Sequence, residues 1–208
     1  MAREKNPAVV DAWLRYDWPR LKANARSLNA TIVFVDESGF LMMPLLRQTL
    51  AQRGHTPVLL HRAVHRQKVS VAAALCRSPL QGRVRLFWES FPDGYVNADD
   101  YAEFLRDMTA EICGPLIVLQ DRAPLHHGEA IDELKEDTPR LLIAEFPTYA
   151  PELNPPEHLW RHLKAEDLAN FAPLYLLDLS QALHGALAAV AHDQHRLRSF
   201  LNCSKLTW

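Results

Sequence analysis

Five short apolar runs, and the kind of chain that separates them, constrain this fold more than any other feature. The runs at 31–35 (TIVFV), 69–75 (VSVAAAL), 84–88 (VRLFW), 116–120 (LIVLQ) and 141–146 (LLIAEF) are short and mostly rich in β-branched residues. Each reads as a buried strand. The second and third are separated only by the turn-prone Ser78-Pro79-Leu80-Gln81-Gly82. Beyond them the pattern changes. Asn97 opens a helix whose buried stripe is Tyr101, Leu105, Met108 and Ile112, and Gly114-Pro115 stops it before the fourth run. A shorter helix near 128–137 precedes the fifth. Strands that alternate with helices pair in parallel, and strands joined without one pair antiparallel. The expected class is therefore α/β: a mixed sheet, antiparallel strands followed by parallel strands, with helices on both faces.

The flanks are read in the same way. Residues 1–30 form an N-terminal helical segment, with Val9, Trp13 and Tyr16 as its stripe and Trp18-Pro19 as an interruption, and 31–208 form the main domain. Residues 37–68, with Gly39, Pro44, Gly54 and Pro57, read as short strands and loops. A Pro-rich turn leads into a helix at Glu157. A last long helix starts near Asp178, which with Gln181 makes a capping pair, and buries Leu179, Leu183, Leu187 and Val190.

Composition excludes several classes. With 208 residues, 48% of them apolar and 23% charged, the chain is that of an ordinary globular domain. No apolar run approaches the ~18–20 residues that span a bilayer, and the polar start lacks a signal peptide's apolar stretch. Cys76, Cys113 and Cys203 are odd in number and form no CxxC pair, which argues against disulfides and cysteine zinc sites and for a reducing cytoplasm. The net charge of −2 hides an asymmetry. Residues 38–88 hold no acid but carry Arg47, Arg53, Arg62, Arg66, Lys68, Arg77, Arg83 and Arg85, with His55, His61 and His65. Residues 89–137 carry thirteen acids against Arg106, Arg122 and Lys135. Such blocks are either solvated surface or, for the first, a face turned to a polyanion such as DNA.

Three acids stand where chemistry could be done. Asp36 and Asp121 follow apolar strands directly, and Glu157 falls in the first turn of a helix. Hard divalent cations prefer such oxygens, and two ions held by them can activate an attacking oxygen and stabilise the leaving one in phosphoryl transfer. Each acid also has a plain structural role open to it. Asp36 and Asp121 could be turn residues. Asn154-Pro-Pro-Glu157 matches an N-cap, helix-start prolines and a capping-box Glu.

The chain resembles the bacterial insertion-sequence branch of the mariner-like DDE transposases. The resemblance runs from Arg3-Glu-Lys-Asn-Pro through Val33-Phe-Val-Asp-Glu-Ser-Gly-Phe, Gly54-His-Thr-Pro, Gly94-Tyr-Val-Asn-Ala and Leu119-Gln-Asp-Arg-Ala-Pro-Leu-His. Its most specific part is Pro147-Thr-Tyr-Ala-Pro-Glu-Leu-Asn-Pro-Pro-Glu-His-Leu-Trp. It implies an RNase H-like fold with Asp36, Asp121 and Glu157 as the catalytic, metal-binding triad, and two Mg2+ or Mn2+ ions. It also implies cleavage at transposon ends, attack of the freed 3′-OH on target DNA, commonly at TA, a homodimer on DNA, and a place at the bacterial nucleoid. Two departures stand out. The spacing between second and third acids is one residue longer than usual, and Arg122 follows the second acid where the family often has Asn.

Neighbouring residues follow from these placements. Arg161 and Lys164, at i+4 and i+7 from Glu157, are expected on its helix face as DNA contacts, with Arg122 and His126 as further candidates. His126 reads equally as a packed histidine or as one near the metal site. Glu37, next to Asp36 on a strand, points to the opposite face and reads as structural. Trp160 and Leu163 read as core. His158 and His162 lack the HExxH order of a zinc protease. No helix-turn-helix module precedes Asp36. The chain therefore reads as a second reading frame joined to an upstream DNA-binding portion, or as a truncated form. A second reading follows: a catalytically silent fragment that binds DNA or dimerises as a regulator.

Overall fold

In the computed structural model, residues 6–55, 57–61, 67–79 and 82–208 are described. Arg3, Glu4, Lys5, Thr56, Arg62, His65, Arg66, Leu80 and Gln81, singled out from the sequence, lie outside them. The long strand β1 (Thr31–Leu41) is the centre of a five-stranded sheet. It pairs antiparallel with β2 (Lys68–Arg77), which pairs antiparallel with β3 (Val84–Pro92). On its other side it pairs parallel with β4 (Leu116–Gln120), which pairs parallel with β5 (Leu141–Glu145). The order is β3-β2-β1-β4-β5, the mixed sheet expected from the helix spacing.

Alternation along β1 divides the core in two. Ile32, Phe34 and Phe40 enter one cluster, and Val33 and Val35 the other. The second cluster is closed by α3 (Ala98–Glu111) and α4 (Glu129–Asp137), with Tyr101, Leu105, Met108 and Ile112 buried as expected. Asn97 caps α3 in a capping box with Asp100. After it the chain turns at Gly114, whose φ of 86° suits glycine, and Arg140 donates to the carbonyls of Thr109, Ile112 and Gly114. The first cluster is closed by α1 (Pro7–Ala12), α2 (Trp18–Leu28), α5 (Pro156–His162), α6 (Leu176–His192) and α7 (Gln194–Cys203).

Several sequence expectations are corrected here. Pro19 does not break the first helical segment. A π turn over Trp13–Asp17 joins α1 to α2, with the Trp18 N–H donating to the Trp13 carbonyl. The wider turn ends just before Pro19, which falls in the first turn of α2, and it resets the buried face. Val10, Trp13, Trp18 and Ala25 are buried, whereas Val9 and Tyr16 are exposed. β1 continues well past Asp36, because β2 stays paired with it to Leu41 after β4 has stopped at Phe34. α6 starts before Asp178, which occupies its third position and accepts from the Leu174 and Tyr175 N–H groups; Gln181 takes no part in the cap. α7 was not anticipated; Asp193 caps it by accepting from the Arg196 N–H.

Of the basic stretch, Arg77 stacks on Trp208, Lys68 on Tyr95, and Arg85 pairs with Glu111. Among the described residues no helix is long and apolar enough to cross a membrane.

Candidate active site

The parallel register of β1 and β4 matches Thr31 with Leu116 and Phe34 with Leu119. Carried two residues further, it sets Asp36 beside Asp121. Alternation puts both on the side of the sheet that faces α5. There a cavity of about 310 Å3 is lined by Asp36, Asp121, Arg122, Asn154 and Glu157, with the turn that follows β5. The structure thus brings the three acids named from the sequence to one cavity.

Each acid is held differently. Asp36, within β1, accepts a hydrogen bond on Oδ2 from Trp160 Nε1 at 2.8 Å. Trp160 is buried core, as expected, but its indole N–H serves the site, a role the sequence reading missed. Asp121 follows the end of β4. Its Oδ1 accepts from the Ala123 N–H at 2.9 Å, an Asx turn, and lies 2.8 Å from His126 Nδ1. Glu157 stands in the first turn of α5, where Pro156 suits the helix start. The expected capping box is absent. Pro155 occupies the cap position, and Asn154 turns its amide to the Val35 carbonyl of β1 instead. Asn154 Oδ1, the atom that would accept in a cap, makes no hydrogen bond.

The electrostatics describe a crowded anionic site. Burial, then the charges of Glu157 and Glu37, hold the Asp36 carboxyl well above its usual range, and the Trp160 bond opposes them only in part. Burial raises Glu157 as well, with Lys164 pulling it down and Asp121 adding repulsion. Asp121 goes the other way, because its bond from His126 outweighs burial. Lys164 Nζ donates to Ser38 Oγ at 2.7 Å. Burial lowers its pKa while Glu157 and Asp36 stabilise its charge.

Three mutually repelling carboxyls of hard oxygen are a donor set that suits a divalent cation. A fourth oxygen fits as well: Asn154 Oδ1, buried on the cavity wall, has no hydrogen-bond partner. As the side chains stand, no three His, Cys, Asp or Glu groups among the described residues are gathered closely enough to enclose an ion.

The remaining candidates separate. Lys164 is beside the acids, as expected. Arg161 is not: it donates to His158 Nδ1 and lines a different cavity, with His162 and Arg196. The π turn over Leu163–Asp167 follows α5 directly, and among these basic residues only Lys164 keeps the face of Glu157. Arg122, beside Asp121 in the chain, has its Nε 2.9 Å from Glu145 Oε2, so its charge is engaged on β5. His126 has a fully enclosed side chain with both ring nitrogens occupied, and so offers no exposed atom to a DNA phosphate. Its Nε2 reaches the Glu37 carboxylate at 3.1 Å. Glu37 does point to the opposite face from Asp36, but its tie to His126 was not visible in the sequence, since 89 positions separate the two.

Residues 31–173 match the family model described as DDE superfamily endonuclease. Among solved structures, the Mos1 mariner paired end complex with Mn superposes with a TM-score of 0.67 at 20% identity, covering 96% of this chain and 60% of that one. The mariner Mos1 paired end complex with Mg gives 0.64 at 19%, covering 100% and 66%. The catalytic domain of Mos1 mariner transposase gives 0.61 at 16%, covering 100% and 99%. These likenesses establish the RNase H-like fold. The chain spans about 60% of the length of the first. No curated protein matches it in sequence.

Proposed function

The chain belongs to the DDE superfamily endonucleases, and from that premise we propose that it is a transposase catalytic domain that cleaves DNA strands at transposon ends and transfers the freed 3′ ends to target DNA. The observation that carries this reading is the convergence of Asp36, Asp121 and Glu157 on one cavity from two parallel strands and a helix start. Structural relatives captured as a strand transfer complex and with a left transposon end support it.

In this reading Asp36, Asp121 and Glu157 hold two divalent ions, Mg2+ or Mn2+, as the metals in the relatives' complexes suggest. Bound there, the ions supply Lewis acidity that activates the attacking oxygen and stabilises the leaving 3′ oxygen. The chain's own groups prepare the site. Trp160 fixes one oxygen of Asp36, His126 fixes one of Asp121, and the Asn154 bond to β1 sets the approach of α5 and thus of Glu157. Lys164, beside the acids, offers its charge to a scissile phosphate. No protein nucleophile is needed, because water or a DNA 3′-OH attacks.

The finer parts of the reading rest on the sequence resemblance. They are membership of the bacterial insertion-sequence branch, a TA-containing target, a homodimer on DNA, action at the nucleoid, and an upstream helix-turn-helix portion. The division into an N-terminal helical segment, 1–30, and a catalytic domain, 31–208, belongs to the same reading. In packing, Trp13 and Trp18 share the core of the sheet. The second reading is a silent fragment that binds DNA or dimerises. Metal-dependent nicking of end-containing DNA decides between them, with Asp121→Asn and Glu157→Gln as controls. Nicking by the wild type that both substitutions abolish supports the enzyme; equal nicking by all three, or none by any, overturns it.

A further inference from the structure

Glu37 belongs to a chain of groups that ends on Asp121. The two Glu37 carboxylate oxygens lie 3.1 Å and 3.2 Å from His126 Nε2. On the other side of the ring, Nδ1 is 2.8 Å from Asp121 Oδ1 and 3.0 Å from the Asp121 carbonyl oxygen. The carbonyl can only accept, so Nδ1 carries a proton, and a carboxylate at Nε2 favours a second one there. The ring is also packed in place. Tyr101 lies against it with centroids 4.4 Å apart. The Tyr101 hydroxyl donates to Gln120 Oε1, and Gln120 Nε2 donates to the His126 carbonyl.

The consequence falls on Asp121. Its Oδ1 faces two donors, His126 Nδ1 and the Ala123 N–H. That fixes the carboxylate plane and leaves Oδ2 as the oxygen free for another partner. We propose that Glu37 is a positioning residue of the strand-cleavage site: through His126 it sets the rotamer of Asp121 and so determines how tightly that site holds a divalent cation. The inference rests on the reading of Asp121 as a cation ligand. The physical basis is general, since groups behind a metal ligand orient it and removing them weakens metal affinity by roughly 10–100-fold.

The test is titration of the intact chain with Mn2+, followed by the electron paramagnetic resonance of the free ion. Wild type, Glu37→Ala, Glu37→Gln, Glu37→Asp and Asp121→Asn are compared, with thermal melting recorded without metal. Glu37→Ala is expected to bind Mn2+ about 10-fold more weakly or worse. Glu37→Gln, which keeps a polar partner against the ring in either imidazole state, should stay within ~3-fold of wild type. Wild-type affinity in a cooperatively melting Glu37→Ala overturns the proposal. So does an equal loss of affinity in Glu37→Ala and Glu37→Gln that merely follows their loss of melting temperature. Should Glu37→Ala fail to fold, Glu37→Asp decides, because a side chain one methylene shorter cannot reach Nε2 without shifting the ring. Undiminished affinity in a folded Glu37→Asp overturns the proposal. Wild-type affinity in Asp121→Asn, or no Mn2+ binding by wild type, instead overturns the reading of Asp121 as a ligand.

Discussion

Asn154 donates its side-chain amide to the Val35 carbonyl across 3.2 Å, on the strand residue just before Asp36. β4 pairs with β1 only as far as Phe34, and the Pro-rich turn takes the next carbonyl. Together with the Trp160–Asp36 bond, the Asn154 bond ties the strand that carries Asp36 to the helix that carries Glu157 and to the turn before it. Asn154→Ala leaves a buried carbonyl without its donor, which costs about 1–3 kcal/mol. Urea denaturation of the metal-free protein should show that loss; an unchanged midpoint would remove this bond from the account of how α5 is placed.

Asp36 should trade stability for function. Its folded pKa is raised, so its ionisation opposes folding. The opposition is absent below the unfolded value near 3.8 and grows as pH climbs toward the folded value. Asp36→Asn removes that charge and keeps an oxygen for the Trp160 N–H. At neutral pH it is expected to add about 1 kcal/mol, or ~2–4 °C in Tm, while abolishing nicking. A lower melting temperature would contradict this electrostatic picture.

The Asp121–His126 pair gives the metal-free protein a pH signature. Burial opposes charge on His126, but its bonds to Asp121 and Glu37 prevail and push its pKa up to about 10. A raised basic pKa stabilises fully below the unfolded value of 6.5, and the contribution is lost as pH rises through about 10. Asp121 contributes with the opposite sign: its share is present above 3.8 and lost as pH falls through its lowered folded pKa. The urea-midpoint gap between wild type and His126→Gln should therefore narrow between about pH 6 and about pH 10.5. A gap that stays constant would mean that His126 is uncharged in the fold.

Lys164 and Arg161 should part company on DNA. Lys164→Ala removes the cation beside Glu157 and Asp36. It is expected to weaken binding of end-containing duplex and to lower the salt slope by about 1. Arg161→Ala, in the other cavity, should change the slope less. Fluorescence anisotropy across a salt series measures both, and identical slopes for wild type and Lys164→Ala would exclude a phosphate contact by Lys164.

The five strands, the stripe of α3 and the core of α6 were legible because burial imposes periods of two and 3.6 on apolar residues, and those periods survive in the sequence. The three acids could be named mainly because the family resemblance picks them out, two directly after such runs and the third within a long specific motif. What stayed hidden lay in competition between local and distant partners. Asn154 has local capping chemistry, yet Val35, 119 positions away, takes its amide. Arg161 and Lys164 look alike by spacing, and the fold gives only Lys164 to the acids. Pro19 looks like a helix break, yet the chain stays helical through it, with a π turn ending just before α2.

By itself the sequence determined the order of the five strands with the helices between them and the mixed sheet, because these follow from hydrophobic period and chain connectivity, whereas the three acids were picked out mainly by the family resemblance. The tertiary structure alone decided that β1 outruns β4, so that Asp36 and Asp121 line one cavity beyond the last paired residues, and that His126 is enclosed between Asp121 and Glu37. The physical reason is that a buried polar group takes whichever partner packing brings within hydrogen-bond reach, and no local pattern in the chain records which one that will be.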